Sequence, residues 1–311
     1  MIAVLTTIQP PTASVRSLVG TLARVSASLI VVGDKKGPAT FDLPGTEFFP
    51  LPTQYDLPYR LAKLLPIGHY SRKNLGYLIA ISRRAPLIYE TDDDNAPNDR
   101  WQVRALSTRA QKIAARPWAN VYRLFTDELI WPRGFPLDLV RDPTTFVHDR
   151  ATAAEAVEAP IQQGLADLAP DVDAIWRLLL DREFYFPPDQ QSVWLPPGTW
   201  CPFNSQTTWW WPIAYPLMYL PSHCSFRMTD IWRSFVAQRC LWELGYGLVF
   251  HSPEAIQQRN LHNLLRDFED ELPGYRHNHR ITEILSNLSL SPGAGNVAHN
   301  LVRCYEALVT H

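Results

Sequence analysis

Short, continuously apolar runs alternate with stretches of helical periodicity over the first hundred residues, and this alternation limits the chain to few architectures. Ile2–Thr7 is one such run and Ser28–Val32 the next, stopped by Gly33-Asp34-Lys35-Lys36-Gly37. Between them, from Pro11 to about Arg24, Val15, Leu18, Val19 and Leu22 recur at helical spacing, and proline suits a first helical turn. Glu47–Pro50 fits a short third strand, Pro58–Leu65 and Arg72–Arg83 fit helices, and Pro86–Tyr89 is another buried run. Strands that are apolar throughout, with helices between them, belong to a sheet covered on both faces. The expected fold is α/β, with a mainly parallel central sheet flanked by helices.

The later chain is less regular. Ala151–Arg182 is rich in Ala, Leu and Asp and predicts two helices broken at Pro170, while Phe184–Pro221, dense in proline and aromatics, predicts irregular structure. Asp230–Leu244 reads as an amphipathic helix ended by Gly245, Gly247–Phe250 as a last strand, and Leu261–Leu272, Arg280–Leu288 and Asn300–Val309 as helices.

A chain of 311 residues with 46% hydrophobic and 19% charged residues can bury a substantial core, and a net charge of −2 gives no reason to expect nucleic acid or an anionic membrane as partner. Cys201, Cys224, Cys240 and Cys304 are too widely spaced for a zinc site and predict free thiols in a reducing compartment. No run approaches the roughly 20 apolar residues of a membrane helix, and Ile2–Thr7 lacks a signal peptide's flanks. A cytoplasmic location without a transmembrane segment is expected. The oligomeric state is open, a homo-oligomer included. The 11 tryptophans suit either a core or flat faces for sugar rings.

After Pro86–Tyr89 the chain reads Glu90-Thr91-Asp92-Asp93-Asp94-Asn95. Adjacent aspartates can be a solvated loop or a helix cap. At the C-terminal end of a buried strand, where open α/β sheets bind ligands, they suit another use. Packed like charges are costly unless a cation or donors offset them, and Mn²⁺ or Mg²⁺ prefers carboxylate and phosphate oxygens. In an extended segment Asp92 and Asp94 project to one side and Asp93 to the other. Asp92 and Asp94 can then hold a divalent ion together with a substrate diphosphate, and Asp92 and Asp93 also count among the nucleotide contacts. Thr6, Thr7 and Asp34 border the same expected crevice, Asp34 suiting a base, a ribose hydroxyl or a Gly-Asp turn. Lys73 and Asn74 open a helix and can face phosphate or solvent.

Three strings, Val31-Val32-Gly33-Asp34-Lys35-Lys36, Lys73-Asn74-Leu75-Gly76-Tyr77 and Ile88 to Asn95, resemble the STELLO family of glycosyltransferase-like proteins. So does Phe226-Arg227-Met228-Thr229-Asp230-Ile231-Trp232-Arg233-Ser234, followed by Ala237-Gln238-Arg239 and Leu241-Trp242-Glu243. The resemblance implies a GT-A nucleotide-sugar fold over residues 1–255 with a helical extension, 256–311, packed on it. It also implies a nucleotide-sugar donor, UDP-sugar favoured, and a glycan, glycoconjugate or small-molecule acceptor. A more distant resemblance, through Asp92–Asp94, Arg133-Gly134-Phe135-Pro136 and Leu244-Gly245-Tyr246-Gly247, is to the reversibly glycosylated polypeptides, the plant UDP-arabinopyranose mutases. It implies a part in self-glycosylation for Arg133, which by residue type equally suits phosphate, carboxylate or the surface.

Asp230 is the candidate for the chemical step. At a helix start its ionised form is favoured, and opposite a diphosphate it can accept an acceptor's proton or orient the sugar. It can equally cap a helix beginning at Ile231; in the chemical role, Asp230→Asn is expected to leave stability nearly unchanged, since Asn and Asp cap about equally well, while activity falls. Arg233 suits helix packing or sugar and phosphate contacts, and Trp209-Trp210-Trp211 an acceptor platform or core. His251, after the last expected strand, stands where many GT-A enzymes place a third metal ligand. The leading expectation is metal-dependent glycosyl transfer; the alternatives are a nucleotide-sugar mutase and a catalytically silent scaffold.

Overall fold

The computed structural model describes residues 1–188, 190–260 and 263–310. Strand β1 (Ile2–Thr7) leads through α1 (Ala13–Arg24) to β2 (Ser28–Gly33) and β3 (Thr46–Phe49). The Thr12 hydroxyl caps α1 by accepting from Val15 N at 3.1 Å, and Val15, Leu18 and Leu22 form its buried face. Two short helices, α2 (Leu51–Gln54) and α3 (Arg60–Leu64), precede α4 (Lys73–Ser82) and β4 (Ile88–Thr91). Strand β1 pairs in parallel with β2 and β4, and β2 with β3. The C-terminal ends of β1, β2 and β4 therefore share one edge, where a crevice opens.

Beyond β4 lie β5 (Asn95–Pro97), β6 (Ser107–Lys112), α5 (Val121–Phe125), β7 (Glu155–Glu158) and β8 (Ile161–Asp167). Then follow α6 (Ala174–Leu180), β9 (Val193–Leu195), β10 (Thr207–Trp210), α7 (Thr229–Trp242) and β11 (Leu248–Gln257). The sheet runs β3-β2-β1-β4-β10-β8-β11-β9-β6-β7, with β5 beside β11. It is mixed and not purely parallel: β10 is antiparallel to both β4 and β8, while β8 and β11 are parallel.

Ala151–Arg182 corrects the expectation of two helices. Its first part forms β7 and β8, and only α6 is helical. All seven residues of β8 are buried, so sheet burial on both faces overrides a composition that favours helix. Likewise β10 and β9 lie within the stretch expected to be irregular, and β11 reaches Gln257, well past Phe250 and across position 255. Trp209 and Trp210 are core residues, donating through Nε1 to Glu254 at 2.6 Å and Glu90 at 2.8 Å.

Two helices end the chain, α8 (Leu264–Asn287) and α9 (Val297–Thr310). Helix α8 runs unbroken through Pro273 and joins the two helices expected there; of the earlier expectation, Leu261 and His262 lie outside the described residues. Both helices pack against α7 and each other, with Cys240 and Cys304 facing across α7 and α9 as free thiols. No helix among the described residues is long and apolar enough to cross a membrane.

Candidate active site

A cleft of about 460 Å³ opens at the shared strand edge, lined by Thr6, Thr7, Asp34 and Asp92–Asp94 together with Arg133 and Asp230. That volume suits a ligand the size of a nucleotide sugar. Loop and strand-end groups supply the acidic side because β1, β2 and β4 stop here together.

Residues 92–95 form a turn, with Asn95 N donating to Asp92 O at 3.4 Å, and not the extended segment whose alternation would send Asp93 away. All three aspartates line the cleft. Asp92 accepts from Lys73 Nζ at 2.8 Å and from the Tyr70 hydroxyl. Asp93 accepts from the Thr7 hydroxyl, and its carbonyl from Thr12 Oγ1. Asp94 accepts from Asn95 Nδ2 at 2.8 Å and Gln257 Nε2 at 3.0 Å. Burial pushes all three carboxyls up, and for Asp94 the neighbouring Asp92 charge adds to burial, bringing it to about 7.

Asp34 accepts from the backbone of Lys35, Gly68 and His69 at 2.6 to 2.9 Å, fastening the loop that presents Tyr70. Lys73 is buried and gives its remaining donors to Thr91 O at 2.6 Å, Ser205 O at 3.3 Å and Tyr70. It is the counter-charge of Asp92, not an open phosphate ligand. Thr6 Oγ1 donates to Val32 O at 2.8 Å.

Asp230 sits one residue inside α7, since Met228 takes the cap position. Arg133 grips it by two bonds of 3.0 and 2.9 Å and grips Asp171 by two of 2.8 Å. Burial pushes the Asp230 carboxyl up, but Arg133 outweighs it and holds the group below the ordinary carboxylate range. Gly134 makes this approach possible. Its φ is +86°, and a Cβ there would lie 2.4 Å from Ile231 Cγ2 on α7. Every guanidinium nitrogen of Arg133 is engaged, Nη1 also donating to Arg227 O, so this arginine positions Asp230 and is a poor sugar acceptor.

Three expected site residues are directed elsewhere. Asn74 exchanges bonds of 2.8 and 2.9 Å with the Leu220 backbone. Arg233, fully buried, pairs with Glu90 at 2.8 and 2.9 Å and lies over Trp210. His251 holds Ser192 Oγ at 2.7 Å and Gln162 Oε1 at 2.9 Å beside a separate cavity that includes Arg100 and Arg104. Burial and then Arg104 push its pKa well down, leaving a neutral ring. Because β11 continues to Gln257, it is Gln257 and not His251 that reaches the aspartates.

Sequence patterning also gave no sign of Tyr70, Arg177 and Arg259 in this cleft. They come from a 3-10 turn, α6 and the segment after β11, and nothing in their local sequence distinguishes them. Among the described residues no group of three or more His, Cys, Asp or Glu side chains forms a metal cage. Asp92 and Asp94 still fit a divalent ion that takes its other ligands from a substrate. They are hard oxygen donors in one cleft, and their mutual repulsion is what a cation relieves.

A central sheet with a parallel βαβ half, flanked by helices and carrying its acidic triplet on the strand edge, has a glycosyltransferase-like fold. The family model for STELLO glycosyltransferases matches residues 227–311, which include Asp230 and both C-terminal helices. Over 246 residues the chain is 29% identical to "Probable glycosyltransferase STELLO1" of Arabidopsis thaliana, covering 73% of this chain and 32% of that protein. It is 30% identical to "Probable glycosyltransferase STELLO2" of the same plant over 246 residues, covering 72% of this chain and 32% of the relative. The chain is thus a relative of the STELLO glycosyltransferases and spans less than two thirds of these two proteins.

Proposed function

We propose that the cleft transfers a sugar from a nucleotide-diphosphate sugar, a UDP-sugar by preference, to an acceptor. One observation carries this reading: Asp92–Asp94 and the Asp230–Arg133 pair line the same cleft. Thr6, Thr7 and Asp34 border the space for base and ribose. Asp92 and Asp94 would hold Mn²⁺ or Mg²⁺, whose chemistry is to neutralise charge on the departing nucleotide diphosphate. Lys73 holds Asp92 in place and opposes the burial that pushes its carboxyl up.

Asp230 is an anion fixed by Arg133, and a carboxylate held below its ordinary range is a weak proton acceptor. Its favoured role is to orient the transferred sugar and offset positive charge at the reacting carbon. The engaged guanidinium of Arg133 favours transfer over a mutase that glycosylates itself. Thermal shift against UDP, GDP, CMP and dTDP with Mn²⁺ tests the reading, followed by incubation with the matching nucleotide sugars. Mn²⁺-dependent stabilisation by one nucleotide and release of that nucleotide in the presence of an acceptor support it. An isomerised donor identifies a mutase, and no nucleotide binding at all refutes the reading.

A further inference from the structure

The wall of the same cleft also carries Arg177, Arg227 and Arg259. Arg227 is held from behind by Glu271 at 2.7 Å and Arg259 by Asp267 at 2.5 Å. Arg177 differs. It is 6% exposed, no carboxylate among the described residues lies within salt-bridge distance, and the one hydrogen bond of its guanidinium among them is to Pro170 O at 2.7 Å. A guanidinium has five N–H donors, so most of its capacity faces the cleft. Burial pushes Arg177 down to about 10, and the Arg259 and Arg227 charges push the same way against the attraction of Asp171. Three crowded cations with one lacking an ion-pair partner form a cradle for an anion.

The connections tie Arg177 and Arg227 to the Arg133–Asp171 side of the cleft, while Arg259 follows Gln258, whose N donates to Asp94 O at 2.9 Å. Pro170 O, which holds Arg177, adjoins Asp171, and Arg227 O accepts from Arg133. The charges acting most on Asp92–Asp94 are Lys73, Asp230 and one another, not these three arginines. We propose that Arg177, Arg227 and Arg259 form a subsite for a carboxylate or phosphate on the substrate, separate from the donor diphosphate. This rests on the nucleotide-sugar reading of the cleft.

The test is isothermal titration of inorganic phosphate into the protein saturated with UDP and Mn²⁺. Phosphate binds as a second ligand, and Arg177→Gln weakens it by about 10- to 100-fold, the worth of a charge-assisted contact. Arg177→Lys keeps part of the affinity, and UDP affinity moves less than about threefold. Arg259→Gln repeats the loss should Arg177→Gln fold poorly. Phosphate that displaces UDP, or an Arg177→Gln variant that loses UDP and phosphate alike, overturns the proposal, because the arginines then hold the diphosphate. Phosphate that binds neither free nor UDP-loaded protein also overturns it. If UDP itself fails to bind, the donor reading falls, while phosphate titrated into free protein still reads the arginine cradle. Two kinetic arms locate the anion. Preference for UDP-glucuronate over UDP-glucose, lost in Arg177→Gln, puts it on the transferred sugar. Preference for glucose 6-phosphate over glucose, lost in the same variant, puts it on the acceptor. Neither preference refutes a substrate anion.

Discussion

Replacing Asp230 by asparagine separates a helix cap from a charge that organises the cleft. As a cap, the residue would tolerate the change almost without cost. The structure gives a different magnitude. Asp230 receives two guanidinium bonds from Arg133 at 3.0 and 2.9 Å in a buried site. Asparagine keeps one carbonyl acceptor, and Arg133 keeps both bonds to Asp171. The loss is therefore near one charge-assisted hydrogen bond, about 1.5–3 kcal/mol, and short of the full cost of an orphaned buried charge. The melting temperature should fall by several degrees.

The sign with pH follows from the lowered folded pKa of Asp230. Such a group stabilises above the ordinary carboxylate value near 3.9 and loses that contribution as pH falls through the folded value. The stability gap between variant and parent should be full at pH 7 and close below about pH 4. UDP affinity should stay within about twofold, since the nucleotide is held at the strand edge, while turnover per folded molecule drops on the order of 10²-fold. Urea unfolding across pH, nucleotide titration and a turnover assay measure all three. Normal turnover, or a stability gap that persists unchanged at pH 3, refutes the reasoning.

Asp94, raised to about 7, carries the opposite sign. Its ionisation costs stability as pH rises from about 4 to 7, so Asp94→Asn should melt higher than the parent at pH 8, by about 2 kcal/mol after allowing for water contact, and equally at pH 4. The same variant should lose Mn²⁺-dependent UDP binding by calorimetry, whereas Asp93→Asn should lose less. Lys73→Met should cost about 3–5 kcal/mol by leaving Asp92 unpaired, and adding Asp92→Asn should recover part of that in a double-mutant cycle of unfolding energies. Gly134→Ala meets Ile231 at 2.4 Å and should unfold far more easily than Gly198→Ala, which shares the positive φ but has nothing within 4 Å. The latter should cost only about 1–2 kcal/mol, so equal melting points would refute the steric account of Gly134.

The first four strands and their helices were legible because each buries a local pattern: Val15, Leu18 and Leu22 along α1, four consecutive apolar residues in β2. The acidic triplet was legible for the same reason, being adjacent to a recognisable strand end. Ala151–Arg182 was not, since β8 is a strand only by lying between β10 and β11, and no residue within it records those neighbours.

Sequence by itself determined the α/β class, the strand edge where the cleft opens, and the presence there of Thr7, Asp34, Asp92–Asp94 and, through the matching run, Asp230. Tertiary structure alone decided what each charge is for. Arg233 looks as available as Arg177 in the chain, yet the first is matched by Glu90 in the core and the second is left facing the cleft. His251 and Gln257 exchange places because β11 runs seven residues past Phe250. A side chain's chemistry travels with its residue, but whether its charge is compensated depends on partners tens of residues away, which only the packed fold brings within bonding distance.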